Sequence, residues 1–499
     1  MSTAVQHAPT AEQEHALLCY RTGKDLVIEA AAGSGKTTTL ELLARYAPHR
    51  RGMYLAFNKS VAQEAQARFS GTQTNPFTVH SLAWRSMAAP FRERLNNTPR
   101  FTPWGVIAKR VGIETDYVFG PDAQSTTRKI RRESLTQLAQ ETVTRFQRTA
   151  DAVLGLQHVA LPKALVVGNR AAKEDLARTI LDFAETVWAD QRDPFGTLPF
   201  KHDSYLKMWQ LSNPKLNVDF VCLDEAQDAD GLMVDVLLKQ DAQRVFVGDR
   251  SQAIYGWRTG TMDAMSNLPG AYVAQLSQSF RFGEEVAEEA QKWLDLLGAD
   301  LTIRGNPAKQ SRVGRVTAPD AVICRTNGGA IFEVLKGLEK NRTVGVAGER
   351  KAQELQRLAK AAVDLQVKGR TSHPDFQAFE TWDQVVEISE TDEGKDFAPL
   401  VKVVDRFTAE KVVDALERCD MASADLVIST AHIAKGLEWG SVRVSKDFPE
   451  PKRNDTTDRL ELQAEEARIS YVTVTRAKDA LDTGALSWIN DIDEDVDLY

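Results

Sequence analysis

Cysteine is scarce in this sequence, and its spacing does not suggest a metal or redox site. The four cysteines among 499 residues are Cys19, Cys222, Cys324 and Cys419, and no two of them form a CxxC pair. Zinc and iron–sulfur ligation require closer spacing, and a disulfide framework requires a secreted protein. We therefore expect four buried, reduced thiols.

Long apolar runs are also missing. No segment is apolar over the length that spans a bilayer, and the stretch from Met1 to Thr10 lacks the basic-then-apolar pattern of a signal peptide. Repeats and low-complexity tracts are absent as well. The sequence predicts no membrane association, and a cytoplasmic protein, or a nuclear one if the source is eukaryotic.

The chain has no excess of positive charge. Its 62 lysines and arginines stand against 70 aspartates and glutamates, which gives a net charge of −8. A nucleic-acid-binding protein needs only a locally basic track, because phosphate contacts act within about a Debye length. Composition therefore leaves nucleic acid open as a partner without supporting it.

Short apolar runs alternate with helix-compatible stretches in two regions of the chain. The runs of the first region are residues 26–28, 53–57, 218–223 and 245–247, and those of the second are 321–323, 343–346, 426–428 and 442–444. Such runs, bounded by turn residues, predict strands of a parallel sheet with helices on both faces. The predicted fold class is α/β, with two domains of similar build.

Two segments interrupt this alternation, and both are predicted to be insertions. Residues 86–204 are mostly helical in pattern and carry the basic cluster Arg128, Lys129, Arg131 and Arg132, which is either a solvated helix face or a contact to duplex. Residues 369–419 contain an acidic stretch. The acidic end, 491–499, is interpreted as a solvated tail or a partner-binding segment.

Residues 30–37, Ala-Ala-Ala-Gly-Ser-Gly-Lys-Thr, lie between a predicted strand and a predicted helix. In such a loop, backbone N–H groups converge on phosphate oxygens, here those of Ala32, Gly33, Ser34 and Gly35. We expect Lys36 to reach the β- and γ-phosphates of ATP, and the Thr37 hydroxyl to bind Mg²⁺. A turn between a strand and a helix would not require the Lys-Thr pair, which favours a phosphate-binding loop. The one departure from the general pattern is Ala30, which stands in the place of the first glycine.

The acidic box Asp224-Glu225-Ala226-Gln227-Asp228 ends another predicted strand. Carboxylates at the end of a buried parallel strand face the same crevice as the phosphate loop. Asp224 is expected to hold Mg²⁺ through water, and Glu225 to orient and deprotonate the attacking water. A cluster of acids at a helix start is the alternative. Arg281 and Arg476 are candidate arginine fingers for the γ-phosphate.

The ordered motifs resemble those of the superfamily 1 helicases UvrD, Rep and PcrA. They are Glu12-Gln13, the phosphate loop, residues 56–59 (Ala-Phe-Asn-Lys), 78–81 (Thr-Val-His-Ser), the acidic box, 248–258 (Gly-Asp-Arg-Ser-Gln-Ala-Ile-Tyr-Gly-Trp-Arg), 279–281 (Ser-Phe-Arg), 430–438 (Thr-Ala-His-Ile-Ala-Lys-Gly-Leu-Glu) and 465–477. Residues 202–212 further resemble the stretch before the acidic box in the UvrD-like domain of F-box DNA helicases. No segment resembles the F-box, so ubiquitin-ligase assembly is not implied.

The resemblance implies two RecA-like domains and an architecture. The first domain (1A) would comprise 1–85 and 205–282, with 86–204 as a helical insertion (1B). The second (2A) would comprise 283–368 and 420–490, with 369–419 as a reduced 2B-like insertion and 491–499 as the acidic tail. Because 2B is usually large in UvrD-type enzymes, its reduction here limits the unwinding expected of a monomer.

The resemblance also implies roles for residues around ATP. Gln13 would read adenine, Phe280 would stack on it in place of the usual tyrosine, and Gln252 would sense the γ-phosphate. Glu438, next to Gly436, would contact the ribose. Thr38 stands where an arginine often follows the phosphate loop, which leaves that nucleotide contact open.

DNA would lie on aromatic and polar side chains of the same motifs. Stacking on an aromatic ring contributes roughly 1–3 kcal/mol per base and tolerates any sequence. For single aromatics core packing is the alternative, and for His80 a structural role. The residues expected to contact DNA are Phe57, Asn58, Lys59, Thr78, His80, Tyr255, Trp257, Arg258 and His432.

The function expected from the resemblance is an ATP-dependent DNA helicase that moves 3′ to 5′ on single-stranded DNA and unwinds tailed duplex, in repair, recombination or replication. Nucleotide state would drive closure of two lobes. A translocase that strips proteins from DNA, or powers a partner nuclease or a defence complex, is the alternative, and a protein partner stays open. A helicase–nuclease fusion is not expected, because the stretch after Arg476 is too short for a nuclease domain. The intact motifs disfavour a DNA-binding scaffold with an inactive ATPase, and RNA is a less favoured substrate than DNA.

Overall fold

The computed structural model describes residues 8–56, 59–99, 102–119, 128–159, 161, 170–255, 264–348, 350–371, 373, 376, 379, 381–390, 397–492 and 495–499. The chain folds into two compact units. The first contains Met1–Glu29, Lys36–Arg250 and Tyr255–Gln275, and the second contains Ala30–Gly35, Ser251–Ile254 and Leu276–Tyr499. Within the described ranges, no helix combines the length and apolarity needed to cross a membrane.

The strands and helices are numbered along the chain. The strands are β1 (Leu26–Ala30), β2 (Gly52–Ala56), β3 (Thr74–Thr78), β4 (Tyr117–Phe119), β5 (Arg128–Ile130), β6 (Phe220–Leu223), β7 (Gln243–Gly248), β8 (Tyr272–Leu276), β9 (Arg312–Val313), β10 (Ala321–Cys324), β11 (Val344–Val346), β12 (Leu426–Thr430), β13 (Trp439–Val444), β14 (Lys452–Arg453), β15 (Leu460–Leu462), β16 (Ala477–Asp482) and β17 (Val496–Leu498). The helices are α1 (Ala11–Arg21), α2 (Lys36–Tyr46), α3 (Lys59–Arg68), α4 (Val79–Ser86), α5 (Ala89–Asn97), α6 (Trp104–Val111), α7 (Arg132–Phe146), α8 (Arg170–Arg192), α9 (His202–Leu211), α10 (Gly231–Leu238), α11 (Glu284–Leu296), α12 (Asn327–Glu339), α13 (Lys351–Lys368), α14 (Trp382–Ser389), α15 (Ala398–Phe407), α16 (Ala409–Glu417), α17 (Ala431–Ala434) and α18 (Ala464–Val474).

The first sheet has six strands in the order β3-β2-β6-β7-β1-β8, and the pairings from β3 through β1 are parallel. Its central strands are buried apolar runs, such as Phe220–Leu223, in which every residue is buried. This burial on both faces is typical of a parallel sheet covered by helices. The carboxyl ends of β1, β6 and β7 therefore lie at one edge of the sheet.

Helices α6, α7 and α8 of the first unit have a core of their own. Apolar side chains of α6, α7 and α8 pack together, with Phe146 and Ile180 fully buried among them. The segment was predicted to be mostly helical, and the antiparallel pair β4–β5 is the one strand pair in its described part. A separate core explains why this stretch interrupts the strand–helix alternation.

The second sheet also has six strands, in the order β11-β12-β10-β13-β16-β9, and all its pairings are parallel. The prediction of an α/β fold with two parallel sheets is therefore confirmed. Loop residues preceding α12 are held by the Asp447 carboxylate, which accepts hydrogen bonds from the N–H groups of Arg325 and Thr326. Thr326 in turn caps α12 by accepting the Gly329 N–H at 2.9 Å.

Residues between 376 and 416 share one hydrophobic core with the second sheet. Phe376, Trp382, Leu400 and Val412 pack in the same cluster as the β10, β11 and β12 side chains. The described part of this segment thus completes the core of the second unit, and it does not form a core of its own. Its assignment as a counterpart of 2B stays a prediction.

Two predictions of detail are wrong. The acidic end is not wholly a solvated tail, because β17 pairs in parallel with β15 and Arg459 forms an ion pair with Asp497. Val496 and Leu498 alternate with the acidic residues, which is the pattern of a half-buried strand. All four cysteines are free, but Cys419 is half-buried whereas the other three are buried.

Candidate nucleotide site and DNA-contacting residues

The phosphate loop begins directly after β1 and ends where α2 begins. Gly33 and Gly35 have φ values of 74° and 81°, a left-handed conformation that side chains with a Cβ rarely adopt. A Cβ on Gly33 would also lie 2.7 Å from Ser279 Oγ. The loop conformation therefore favours glycine at both positions, and at Gly33 a side chain would also collide with Ser279.

Hydrogen bonds within the second unit fix the residues of this loop before Lys36. The Ala32 N–H donates to the Tyr471 hydroxyl at 3.2 Å, and the Phe280 N–H donates to the Gly33 carbonyl at 2.8 Å. The Ser34 side chain is buried, and its hydroxyl has no hydrogen-bond partner among the described residues. A buried hydroxyl without a partner is costly, so it is a candidate donor to a bound phosphate.

Lys36 and Glu225 form an ion pair within the first unit. Lys36 Nζ lies 3.0 Å from Glu225 Oε2, and the lysine side chain is only 12% exposed. Burial lowers the pKa of Lys36, but the nearby carboxylates, Glu225 foremost, outweigh that effect and hold the pKa above the usual lysine value. The ammonium is therefore charged where a phosphate would be expected.

Thr37 and Asp224 bring together two oxygen atoms that could bind a metal ion. Thr37 Oγ1 donates to Asp224 Oδ2 at 2.9 Å, and the Tyr54 hydroxyl donates to the same oxygen at 2.5 Å. Burial raises the pKa of Asp224, Glu225 raises it further, and the Tyr54 hydrogen bond opposes both. Hydroxyl and carboxylate oxygens are the ligands that Mg²⁺ prefers, so this pair fits that ion.

Glu225 adopts an unusual backbone conformation, with φ at 53° and ψ at 45°. Its Oε2 accepts a hydrogen bond from Gln227 Nε2 at 2.6 Å, and Gln227 Oε1 accepts the Asp249 N–H at 3.1 Å. A left-handed non-glycine residue is uncommon and clusters at functional sites. Gln227 therefore orients the carboxylate that is expected to act as a base. The sequence motifs assigned no role to this residue of the acidic box.

Gln13, the predicted adenine reader, is buried at the start of α1. Its backbone and side chain form a capping box with Thr10, and its Nε2 donates to Thr39 Oγ1 at 3.2 Å. This arrangement fixes the amide next to the first turn of α2. Thr38, on the same turn, is exposed.

Arg281 and Glu438 form an ion pair within the second unit. Arg281 Nε lies 2.8 Å from Glu438 Oε2, and Arg281 Nη1 donates to the Thr475 carbonyl at 2.9 Å. Burial raises the pKa of Glu438, but Arg281 outweighs this and the pKa is below the usual value. Phe280, beside Arg281, is 41% exposed, so its ring is open to stacking.

Arg476 is almost completely buried, at 1% exposure. Its guanidinium donates to the Val472 carbonyl at 2.8 Å and to Thr475 Oγ1 at 2.9 Å, and it lies 3.5 Å from Gln252 Oε1. Lys435 Nζ donates to the Gln252 carbonyl at 2.6 Å. The predicted γ-phosphate sensor and one predicted arginine finger are thus joined within the second unit.

Comparison with known proteins agrees with this geometry. Residues 10–272 match the model of the UvrD/REP helicase N-terminal domain, and residues 274–489 match that of the UvrD-like helicase C-terminal domain. The chain belongs to the UvrD/REP helicase family. The resemblance inferred from the motifs is confirmed.

Two F-box DNA helicases are among the relatives. F-box DNA helicase protein 1 of Schizosaccharomyces pombe is 28% identical over 516 residues, which cover 95% of this chain and 57% of that protein. F-box DNA helicase 1 of Gallus gallus is 26% identical over 496 residues, which cover 92% of this chain and 47% of that protein. The chain therefore spans about half the length of these relatives.

Several of the predicted DNA-contacting residues have local structural partners in this helicase-family chain. Thr78 caps α4 by accepting the Ser81 N–H at 3.2 Å, and the exposed His80 ring lies 3.4 Å from Asp203 Oδ1. Lys59 is exposed at the start of α3. Lys59 and His80 are therefore exposed, while the Thr78 hydroxyl already has a capping role.

Tyr255 and His432 are half-buried. Burial lowers the pKa of His432 and the nearby Arg325 lowers it further, so its neutral form is favoured. Gly436 is exposed, with φ at 85°, near Glu438. Four other predicted contacts, Phe57, Asn58, Trp257 and Arg258, lie outside the described residues.

Tyr54 was missed by the sequence analysis, although a signal for it exists. In the register of β2 with β6, Tyr54 pairs with Cys222, two residues before Asp224. Because side chains alternate along a strand, Tyr54 and Asp224 lie on the same face. Without the register of these strands, the sequence predicts only that Tyr54 is an aromatic residue of the core.

Proposed function

We propose that this chain is an ATP-dependent DNA helicase that moves 3′ to 5′ on single-stranded DNA and unwinds tailed duplex. The observation that carries the proposal is the pair of contacts in the first unit, Lys36 with Glu225 at 3.0 Å and Thr37 with Asp224 at 2.9 Å. The residues expected to bind the phosphates, the metal ion and the attacking water therefore lie together at one edge of the first sheet. Family membership supports DNA as the substrate, and the polarity rests on the motif resemblance.

In this mechanism Lys36 and the loop N–H groups bind the β- and γ-phosphates. Thr37 and Asp224 would hold Mg²⁺, which neutralises phosphate charge when bound. As Lys36 turns to the phosphate, the Glu225 carboxylate is released to take a proton from the attacking water, with Gln227 holding its orientation.

The arginines of the second unit supply positive charge as the γ-phosphate leaves. We assign this role to Arg281 and Arg476, and assign to Gln252 the detection of the γ-phosphate. Because Gln252 contacts both Arg476 and Lys435, loss of the phosphate would alter contacts in the second unit. Domain closure and reopening would then move the strand.

The test compares wild-type protein with Glu225→Gln. DNA-stimulated ATP hydrolysis should fall by about 10²–10⁴-fold in the variant, because the general base is lost. Unwinding of a 3′-tailed duplex should fall with it, and a 5′-tailed duplex should not be unwound by either protein. The matched control is Glu339→Gln, an exposed carboxylate at the end of α12. Wild-type hydrolysis that does not respond to DNA would refute the motor.

A second candidate function is a DNA-stimulated translocase that removes bound proteins or powers a partner nuclease or defence complex. It is favoured by the residues between 376 and 416, which pack into the core of the second unit. A 2B counterpart whose described residues form no core of their own would offer less surface with which to engage a duplex. Displacement of streptavidin from biotinylated single-stranded DNA, with no unwinding of either tailed duplex, would select this function.

We place the activity in DNA repair, recombination or replication, in the cytoplasm or, for a eukaryotic source, the nucleus. Both relatives are named as DNA helicases, which supports a role on DNA. Pull-down of a tagged Glu225→Gln variant, in which ATP and partners would be retained, tests for a protein partner.

A further inference from the structure

A charged cleft of about 620 Å³ lies within the second unit, away from the residues assigned to ATP. It is bordered by α12, by the ends of β13 and β16, and by the loop after β9. Five basic and three acidic side chains line it. Ligand sites typically occupy 300–1,000 Å³, so the cleft is large enough for part of a nucleotide strand.

Two of the basic side chains share one acid. Glu333 is buried, and its carboxylate bonds to Lys336 Nζ at 3.0 Å and to Arg443 Nη2 at 2.7 Å. This trio covers the floor between α12 and β13. A buried carboxylate held by two cations leaves net positive charge beneath the cleft.

A second acid is occupied by backbone groups. Asp482 Oδ2 accepts the Val316 N–H at 3.1 Å, and Asp482 Oδ1 accepts the Gly484 N–H at 3.2 Å. These bonds fix the loop after β9 against the end of β16. The carboxylate therefore positions the cleft wall, and its negative charge is stabilised by two N–H dipoles.

The remaining cations are Arg315, Lys340 and Lys446, which come from three different elements. All three are exposed, and none forms an ion pair with any residue that the structure describes. Glu450 is the one exposed acid among the residues that line the cleft. Cations spread around a cleft and mixed with carboxylates suit a chain of singly charged groups better than a compact polyphosphate.

We propose that this cleft binds the phosphodiester backbone of a nucleic-acid strand, through Arg315, Lys340 and Lys446. The inference rests on the proposed function, since it adds a contact outside the helicase motifs. Phosphate is the shared chemistry, and a small phosphorylated molecule is the other source to distinguish. Backbone contacts of this kind add affinity without sequence preference.

The test is salt-dependent binding of a fluorescent 3′-tailed duplex to the full chain. Each phosphate contact contributes roughly 0.7–0.9 to the slope of log affinity against log salt. Lys340→Ala/Lys446→Ala should therefore reduce the slope by about 1.4–1.8. The control is Lys402→Ala/Lys411→Ala, which removes two exposed lysines of α15 and α16 and should leave the slope near that of wild type.

The outcomes separate this inference from the proposed function. Tight wild-type binding with equal slopes in both double variants would overturn the cleft and leave the helicase intact. Wild-type protein that does not bind DNA would overturn both. If pyrophosphate raises the melting temperature of the wild type but not of the cleft variant, while the slopes are equal, the ligand is a small phosphorylated molecule and the phosphodiester assignment is wrong.

Discussion

Substitution of Tyr54 by phenylalanine tests the chemistry of the proposed metal site. The Tyr54 hydroxyl is fully buried and donates to Asp224 Oδ2 at 2.5 Å, which is a charge-assisted hydrogen bond. A hydrogen bond to a charged group contributes about 1.5–3 kcal/mol. Tyr54→Phe should therefore lower the melting temperature of the first unit by roughly 3 to 12 °C.

The same substitution should move the pH dependence of activity. The Tyr54 hydrogen bond lowers the pKa of Asp224 against the effect of burial, so its loss raises that pKa. Asp224 then takes up a proton at higher pH, and the acid limb of DNA-stimulated hydrolysis should move toward neutral pH. Hydrolysis measured at several Mg²⁺ concentrations from pH 5.5 to 8.5 reports the shift, which should shrink as Mg²⁺ is raised because the ion competes with the proton.

Tyr46→Phe is the matched control for this prediction. Tyr46 is half exposed at the end of α2, and its hydroxyl forms no hydrogen bond with a described residue. The change should alter stability by less than about 0.5 kcal/mol and leave the pH profile in place. If Tyr54→Phe and Tyr46→Phe behave alike in both assays, the phenol does not support Asp224 and the reasoning fails.

Two further predictions concern contacts to the nucleotide. Arg281→Lys should reduce kcat/KM for ATP by at least about tenfold, because one ammonium cannot reach both Glu438 and the Thr475 carbonyl as the guanidinium does. Steady-state kinetics would measure the change, and an unchanged value would remove Arg281 from the site. Gln13→Ala should reduce the ratio of kcat/KM for ATP to that for GTP, because the amide held by Thr39 would no longer read adenine; equal ratios in the two proteins would contradict that role.

The strands that the sequence predicts are those whose apolar run is continuous. The central strands β1, β6, β7 and β10 lie within a residue or two of their predicted bounds, because burial on both faces leaves an uninterrupted signal. The edge strand β3 contains Pro76 and was not predicted. Proline is tolerated there because an edge strand has one side free of ladder hydrogen bonds.

Polar strands were missed for a related reason. Strand β16 reads Ala-Lys-Asp-Ala-Leu-Asp, in which charged residues outnumber long apolar ones, yet it pairs with β13 and with β9. The partners, and not the intrinsic preference, hold it in the sheet. The segment 369–419 was read as an insertion from its acidic stretch, but its spaced apolar residues fill the second core.

Site residues divide in the same way. Motif spacing located Lys36, Thr37, Asp224 and Glu225, because a loop and a strand end are local features of the chain. Tyr54 depends on the register of two strands that are far apart in sequence. Such partners follow from tertiary pairing, and a single sequence does not specify that pairing.

The contacts in both units indicate how ATP would be coupled to movement. In the first unit Lys36 is bound to Glu225, and in the second Arg281 is bound to Glu438. Two of the three cations assigned to a phosphate, Lys36 and Arg281, therefore already have an anionic partner. ATP must exchange these partners, and only the difference in free energy between the two sets of contacts can shift a conformational equilibrium. Glu438→Gln, which weakens one internal pair, should then strengthen nucleotide binding through Arg281. It should also reduce the difference in DNA affinity between the protein before and after hydrolysis, because an arginine that is already released no longer distinguishes the two nucleotide states.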